Sequence, residues 1–110
     1  MNEKQKFGRA GENFAAEVLQ LYGYDILQRN YRCRSGEIDL IAERDQELFF
    51  IEIKTRKDLA FGFPCEAVTE AKRRHMRRAA AAFLSENSYR WVSCSFQVIE
   101  IGFHQIVNAF

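Results

Sequence analysis

The chain has 110 residues, 47% of them hydrophobic, with ten phenylalanines and a formal net charge of +1 at pH 7. That describes a single domain, residues 1–110, with enough apolar surface for one core. A single proline and the absence of polar tracts argue against linkers and disorder, no apolar run approaches the roughly 18 residues of a membrane span, and the balanced charge points to no partner by itself.

The N-terminus, M-N-E-K-Q-K-F, lacks the apolar centre of a signal peptide, so a cytoplasmic location is expected. Residues 4 to 22 read as a helix, with Phe7, Ala10, Phe14, Val18 and Leu21 recurring at three- and four-residue spacing and Gly23 as its stop. Gly8 and Gly11 cost helix propensity and are expected where another backbone or a phosphate comes close. Residues 24 to 33 suit a strand, a hairpin follows, and 57 to 64, with Gly62 and Pro64, reads as a loop. A long helix is expected over 66 to 87, an apolar strand over 91 to 101, and a short last strand over 104 to 107. The order α-β-β-β-α-β-β, with helices on the faces of a mixed sheet, makes an α/β sandwich. Cys33, Cys65 and Cys94 are odd in number and lack C-x-x-C spacing, which fits small buried hydrophobes rather than disulfides or a zinc site.

The hairpin reads G-E-I-D-L-I-A-E, then R-D-Q-E, then L-F-F-I-E-I-K-T. Alternation puts Ile38, Leu40 and Ala42 on one face and Glu37, Asp39 and Ile41 on the other. On the second strand Leu48, Phe50, Glu52 and Lys54 share a face. A turn centred between Asp45 and Gln46 sets Asp39 directly opposite Glu52. Opposed carboxylates beside Leu48 and Phe50 destabilise a sheet unless something offsets them, and a divalent cation is the simplest candidate. A solvated face with one Glu–Lys pair is the plainer alternative.

Lys72, Arg73, Arg74, His75, Arg77 and Arg78 fall within seven residues of the second helix. Helical spacing puts Val68, His75, Ala79, Ala82 and Phe83 on one side and the four arginines broadly on the other, either as a solvated face or as a nucleic-acid contact. Lys72 projects into the apolar stripe near Val68, Met76 and Ala79, where it either snorkels out or reaches a polar cavity holding the carboxylates or a substrate phosphate. His75 fits a core-edge position better than a metal site. Glu12, off the apolar stripe of the first helix, is a candidate third carboxylate.

These residues carry a resemblance to the YraN-like family of uncharacterised bacterial proteins, over nearly the whole chain. It rests on G-R-A-G-E at 8–12, N-Y-R at 30–32, G-E-I-D-L-I-A at 36–42, F-I-E-I-K-T-R at 50–56, A-V at 67–68 with Lys72, and the final N-A-F. The resemblance implies a restriction-endonuclease-like three-layer α/β/α sandwich, related to archaeal Holliday junction resolvases and RecB-type nuclease domains. Asp39 with Glu52 and Lys54 then looks like the D…E-x-K nuclease motif, and Glu12 like the acidic residue that such nucleases carry on a helix. Lys72 falls where related nucleases place a polar residue on the flanking helix. Ile38 replaces a superfamily proline, and Gln97 stands where similar proteins often carry Asp.

The expected chemistry is phosphodiester hydrolysis of DNA, with branched or damaged DNA as the substrate class. Asp39, Glu52 and Glu12 would hold Mg²⁺ or Mn²⁺, with a strand carbonyl near Ile53, while Lys54 orients water or stabilises negative charge. Arg9, Arg56, Lys72, Arg73, Arg74, Arg77 and Arg78 would contact DNA, reading backbone or shape rather than bases. A nuclease-like fold that binds nucleic acid without catalysis is the alternative, and Gln97 leans that way. A third reading is an interaction subunit that needs a protein partner. An exposed strand edge near 92–101 or 104–110 and the dimeric state of resolvase-like relatives lead to an expected homodimer.

Overall fold

The computed structural model describes residues 1–57, 69–87 and 91–110. Its elements are α1 (Glu3–Leu21), β1 (Asp25–Cys33), β2 (Gly36–Arg44), β3 (Glu47–Arg56), α2 (Glu70–Glu86) and β4 (Ser93–Gly102). Residues 58–64 of the loop expected over 57–64, Cys65, and the A-V motif with Val68 lie outside the described residues. The sheet runs β1-β2-β3-β4, with the first three strands antiparallel and β4 parallel to β3. One core cluster joins α1 to the sheet and a second joins α2 to its other face, so the expected three-layer α/β/α sandwich with a mixed sheet is present. Among the described residues no helix is long and apolar enough to cross a membrane.

The fifth strand expected over 104–107 does not form. The Phe103 N–H donates to the Arg56 carbonyl, the last residue of β3, and the chain beyond it has no β3 backbone left to pair with. Ile106 and Val107 are accordingly 71% and 72% exposed.

Helix α1 opens on a capping box, Asn2 with Gln5, and ends before Gly23, whose φ of +88° suits glycine. Its buried stripe is Gly11, Ala15, Ala16 and Leu19, not the Phe7–Ala10–Phe14–Val18–Leu21 row that the spacing predicts. Phe14 is 56% exposed and Leu21 85%. The reason is close packing: a Cβ on Gly11 would stand 2.0 Å from Thr55 Oγ1, so only the small-residue face lets the helix lie this near β3. Turning that face inward brings Glu12 with it.

Helix α2 is capped by Thr69 and buries Met76, Ala79, Ala80 and Phe83. Phe83 meets Tyr31 and Phe50 edge-on, at centroid distances of 5.6 and 6.1 Å. His75 is exposed rather than at the core edge. Cys94 is also exposed, against the expectation of buried cysteines, while Cys33 is half-buried.

The β2–β3 register is the one expected, from Arg44↔Glu47 to Leu40↔Ile51. Asp45 and Gln46 have φ of +53° and +66°, as a two-residue type I′ turn demands. The simple alternation of β2 fails at one point. Leu40 and Ala42 face α1, but Ile38 joins Ile41 on the α2 face. The change of face falls at Asp39, and Asn30 of β1, at the facing position in the register, has φ of +52°. The left-handed Asn30 beside it coincides with this break in the pleat.

Candidate functional site

Strand β3 supplies the centre of the site. Alternation sends Leu48, Phe50 and Glu52 toward α2, and the first two are fully buried. Glu52 is 4% exposed, the one buried charged residue among those described. A buried carboxylate is costly unless it is paired. Lys72, from the first turn of α2, donates to Glu52 Oε1, and Lys54 Nζ stands 3.6 Å from the same oxygen. Of the two readings open for Lys72, the structure has the one in which it reaches the carboxylates. The hydrogen bond to Glu52 and the nearby Asp39 raise its pKa above the lysine value, although burial alone would lower it.

Asp39 stands where β2 and β3 part. The expected direct opposition to Glu52 is not made as a strand pair, because the ladder's last partners are Leu40 and Ile51. Instead an Asp39 carboxylate oxygen accepts the Ile53 N–H at 2.7 Å. The side chain takes over where the backbone ladder stops, and its carboxyl still comes within hydrogen-bonding reach of Glu52. Burial pushes the Asp39 pKa from 3.8 up to about 7, against the Ile53 hydrogen bond, and the charges of Glu52 and Glu12 add to the rise.

Glu12 approaches from α1. Its Oε1 is buried with no hydrogen-bond partner. Burial raises its pKa, Arg29 and Arg9 pull it down, and Glu37 and Glu52 push it up again. Arg29 of β1 is therefore part of this neighbourhood. It also donates to Asn13, one residue beyond Glu12.

Three carboxylates sharing one field, one of them with an orphaned oxygen, are a donor set suited to a hard divalent cation. Among the described residues no three such side chains converge closely enough to hold a metal together. The Asp39–Glu52 pair nonetheless fits the way Mg²⁺ is usually held, by one or two carboxylates with water and substrate phosphate completing the shell.

The basic residues named from sequence divide. Lys72 is in the cluster, and Arg9 is exposed beside Glu12. Arg56 is half-buried and paired with Glu100 at 3.2 Å. Arg73 and Arg77 share Glu70 at 3.9 and 3.8 Å, while Arg74 and Arg78 are exposed on the outer side of α2. Gln97 pairs with Ile51 and follows the parity of Ile99 and Ile101, which pack toward α1. A carboxylate at that position would lie on the sheet face away from Glu52 and Lys54.

The sequence model of the uncharacterised protein family UPF0102 matches residues 11–101. A UPF0102 protein of Caldicellulosiruptor bescii is 47% identical over 105 residues, 92% of this chain and 85% of that protein. One from Caldicellulosiruptor saccharolyticus is 42% identical over 98 residues, 89% of this chain and 83% of its own length. One from Clostridioides difficile is 38% identical with both chains covered in full.

Proposed function

The chain belongs to the uncharacterised protein family UPF0102, and for this member we propose a metal-dependent DNA endonuclease that hydrolyses phosphodiester bonds, with branched or damaged DNA as its substrate class. The observation that carries the reading is the Asp39–Glu52 carboxyl pair at the parting of β2 and β3, Glu52 buried and Asp39 half-buried, with Lys54 and Lys72 on one oxygen of Glu52. A structural ion pair needs one lysine. Two lysines and a second carboxyl whose pKa is pushed up to about 7 form a set that suits work on a charged substrate.

Asp39 and Glu52 would hold Mg²⁺ or Mn²⁺, and Glu12 would complete the shell through water. When bound, the cation would lower the pKa of a coordinated water and neutralise charge on a phosphoryl oxygen. Lys54 would orient the attacking water or stabilise the developing negative charge, and Lys72 would share Glu52 and face the phosphate. The exposed Arg9, Arg74 and Arg78 would hold backbone phosphates outside this shell. The outer edge of β4, ten residues whose only charge is Glu100, would pair with a second copy, which suits paired cuts in two strands. The reading also places the protein in the cytoplasm, where its substrate is.

Binding of nucleic acid without catalysis is the second reading. What favours it is that Glu52 already has two ammonium partners and that no three ligands converge among the described residues. Cleavage assays on linear, single-stranded, flapped and four-way DNA with Mg²⁺ or Mn²⁺ separate the two. Cutting by the wild type that Asp39→Asn and Lys54→Ala each abolish is the outcome expected. Salt-sensitive binding with no cutting in either metal would sink the catalytic reading and leave the second.

A further inference from the structure

At the same end of the sheet as Asp39, the β1–β2 turn and α2 border an open surface depression. Arg32, Arg34, Ser35, Gly36, Glu37 and His75 form much of its wall. The turn sits directly on the helix: a Cβ on Gly36 would stand 2.8 Å from the His75 carbonyl oxygen and 2.9 Å from its Cβ. Glycine is thus what lets the turn dock, and docking brings Arg34 and His75 to the same depression.

The cations are not equivalent. Arg32 is held by Glu37 at 2.9 Å. Arg34 and His75 are exposed, and among the described residues neither takes part in an ion pair. His75 follows Lys72 by three residues on α2, so their Cβ atoms are neighbours at roughly 5–6 Å. Gly36 precedes Asp39 by three residues on β2, roughly 10 Å along the strand. A single nucleic-acid backbone can therefore reach both the turn and the carboxylates.

We propose that this depression is a phosphate subsite for the nucleic-acid strand, roughly 10 Å along β2 from the phosphate over Asp39 and Glu52. Arg34 offers a planar fork to the phosphate oxygens, with the Ser35 hydroxyl and the His75 ring as further donors. The contact is to backbone oxygens and carries no sequence information. The inference rests on the nucleic-acid reading of the central cluster and extends it to where the strand continues.

The test is anisotropy of fluorescein-labelled single-stranded and duplex DNA in EDTA, which stops cleavage, across roughly 50 to 200 mM salt. Arg34→Ala with His75→Ala is expected to weaken binding about tenfold and to lower the salt slope by about one to two. Arg34→Glu, a single change on an exposed turn, is expected to weaken it further, and Arg34→Lys to restore part of the loss. Melting curves of all three variants accompany the titrations. If the wild type binds and the folded variants bind equally well, the subsite is wrong while the functional reading stands. If the wild type binds neither DNA, both fall together.

Discussion

Lys72 donates to the same Glu52 oxygen that Lys54 approaches to 3.6 Å, so one buried carboxylate oxygen carries two ammonium groups. Removing Lys72 leaves Glu52 with the more distant partner only. Lys72→Met is expected to destabilise the protein by about 1–2 kcal/mol, less than a fully buried pair would lose because the lysine is partly solvated. The vacated oxygen should also welcome a divalent cation. Added Mg²⁺ or Mn²⁺ should therefore raise the melting temperature of Lys72→Met more than that of the wild type. Equal shifts in the two proteins would mean that the lysine and the cation do not compete for Glu52.

Asp39 gives the metal-free protein a pH dependence of definite sign. Its carboxyl titrates near 3.8 when unfolded and at about 7 when folded, so the folded state holds the extra proton between those values. The Asp39 contribution to stability is full below about pH 4 and is lost as pH rises through about 7. The half-buried Glu12 acts in the same direction, its pKa raised mainly by burial. Asp39→Asn should melt a few degrees above the wild type at neutral pH and lose that advantage near pH 4. A saturating divalent cation should flatten the wild-type profile. Melting curves across this range with EDTA, then with Mg²⁺, check both statements.

Two glycines three residues apart on α1, Gly8 and Gly11, should answer alanine oppositely. A Cβ on Gly8 meets nothing within 4 Å, whereas one on Gly11 meets Thr55 Oγ1 at 2.0 Å and Cγ2 at 2.9 Å. Gly8→Ala should stabilise by about 0.5–1 kcal/mol through helix propensity. Gly11→Ala should cost about 1–3 kcal/mol, since α1 must lift off β3. It should also weaken any metal response, because Glu12 is the next residue on the lifted helix. Urea titrations of the two variants beside the wild type read the difference directly.

Much of this was legible because the hairpin's register follows from a two-residue turn, which needs only local sequence. Arg44↔Glu47 to Leu40↔Ile51 form as the spacing predicts, and Glu52 and Lys54 keep their shared face. What local periodicity does not carry is close approach between elements. The row through Phe14 and Leu21 has the greater hydrophobicity, yet the smaller Gly11–Ala15–Ala16–Leu19 row is buried, because Thr55 of another strand selects for size. Ile38 and Asp39 depart from alternation for a similar reason: the irregular Asn30 faces them from β1, and nothing in their own strand announces it. Lys72 was visible only as an exception to a stripe, and its partner, twenty residues earlier on β3, became clear once α2 was laid across the sheet.

The turn that sets this register is itself improvable. Asp45 and Gln46 both hold left-handed φ, at +53° and +66°. Aspartate tolerates that region, but glutamine gains nothing from it, and the Asp-Gly pair is favoured in type I′ turns. Gln46→Gly should stabilise the protein by about 0.5–1 kcal/mol, the relief at φ exceeding the entropy of the added glycine. The Val92 N–H, which donates to the Gln46 carbonyl at 2.8 Å, keeps its acceptor in the variant. Because the turn lies at the far end of the hairpin from Asp39, nucleic-acid binding should be unchanged. A lower melting temperature would show that the Gln46 side chain contributes a contact worth more than the strain it carries.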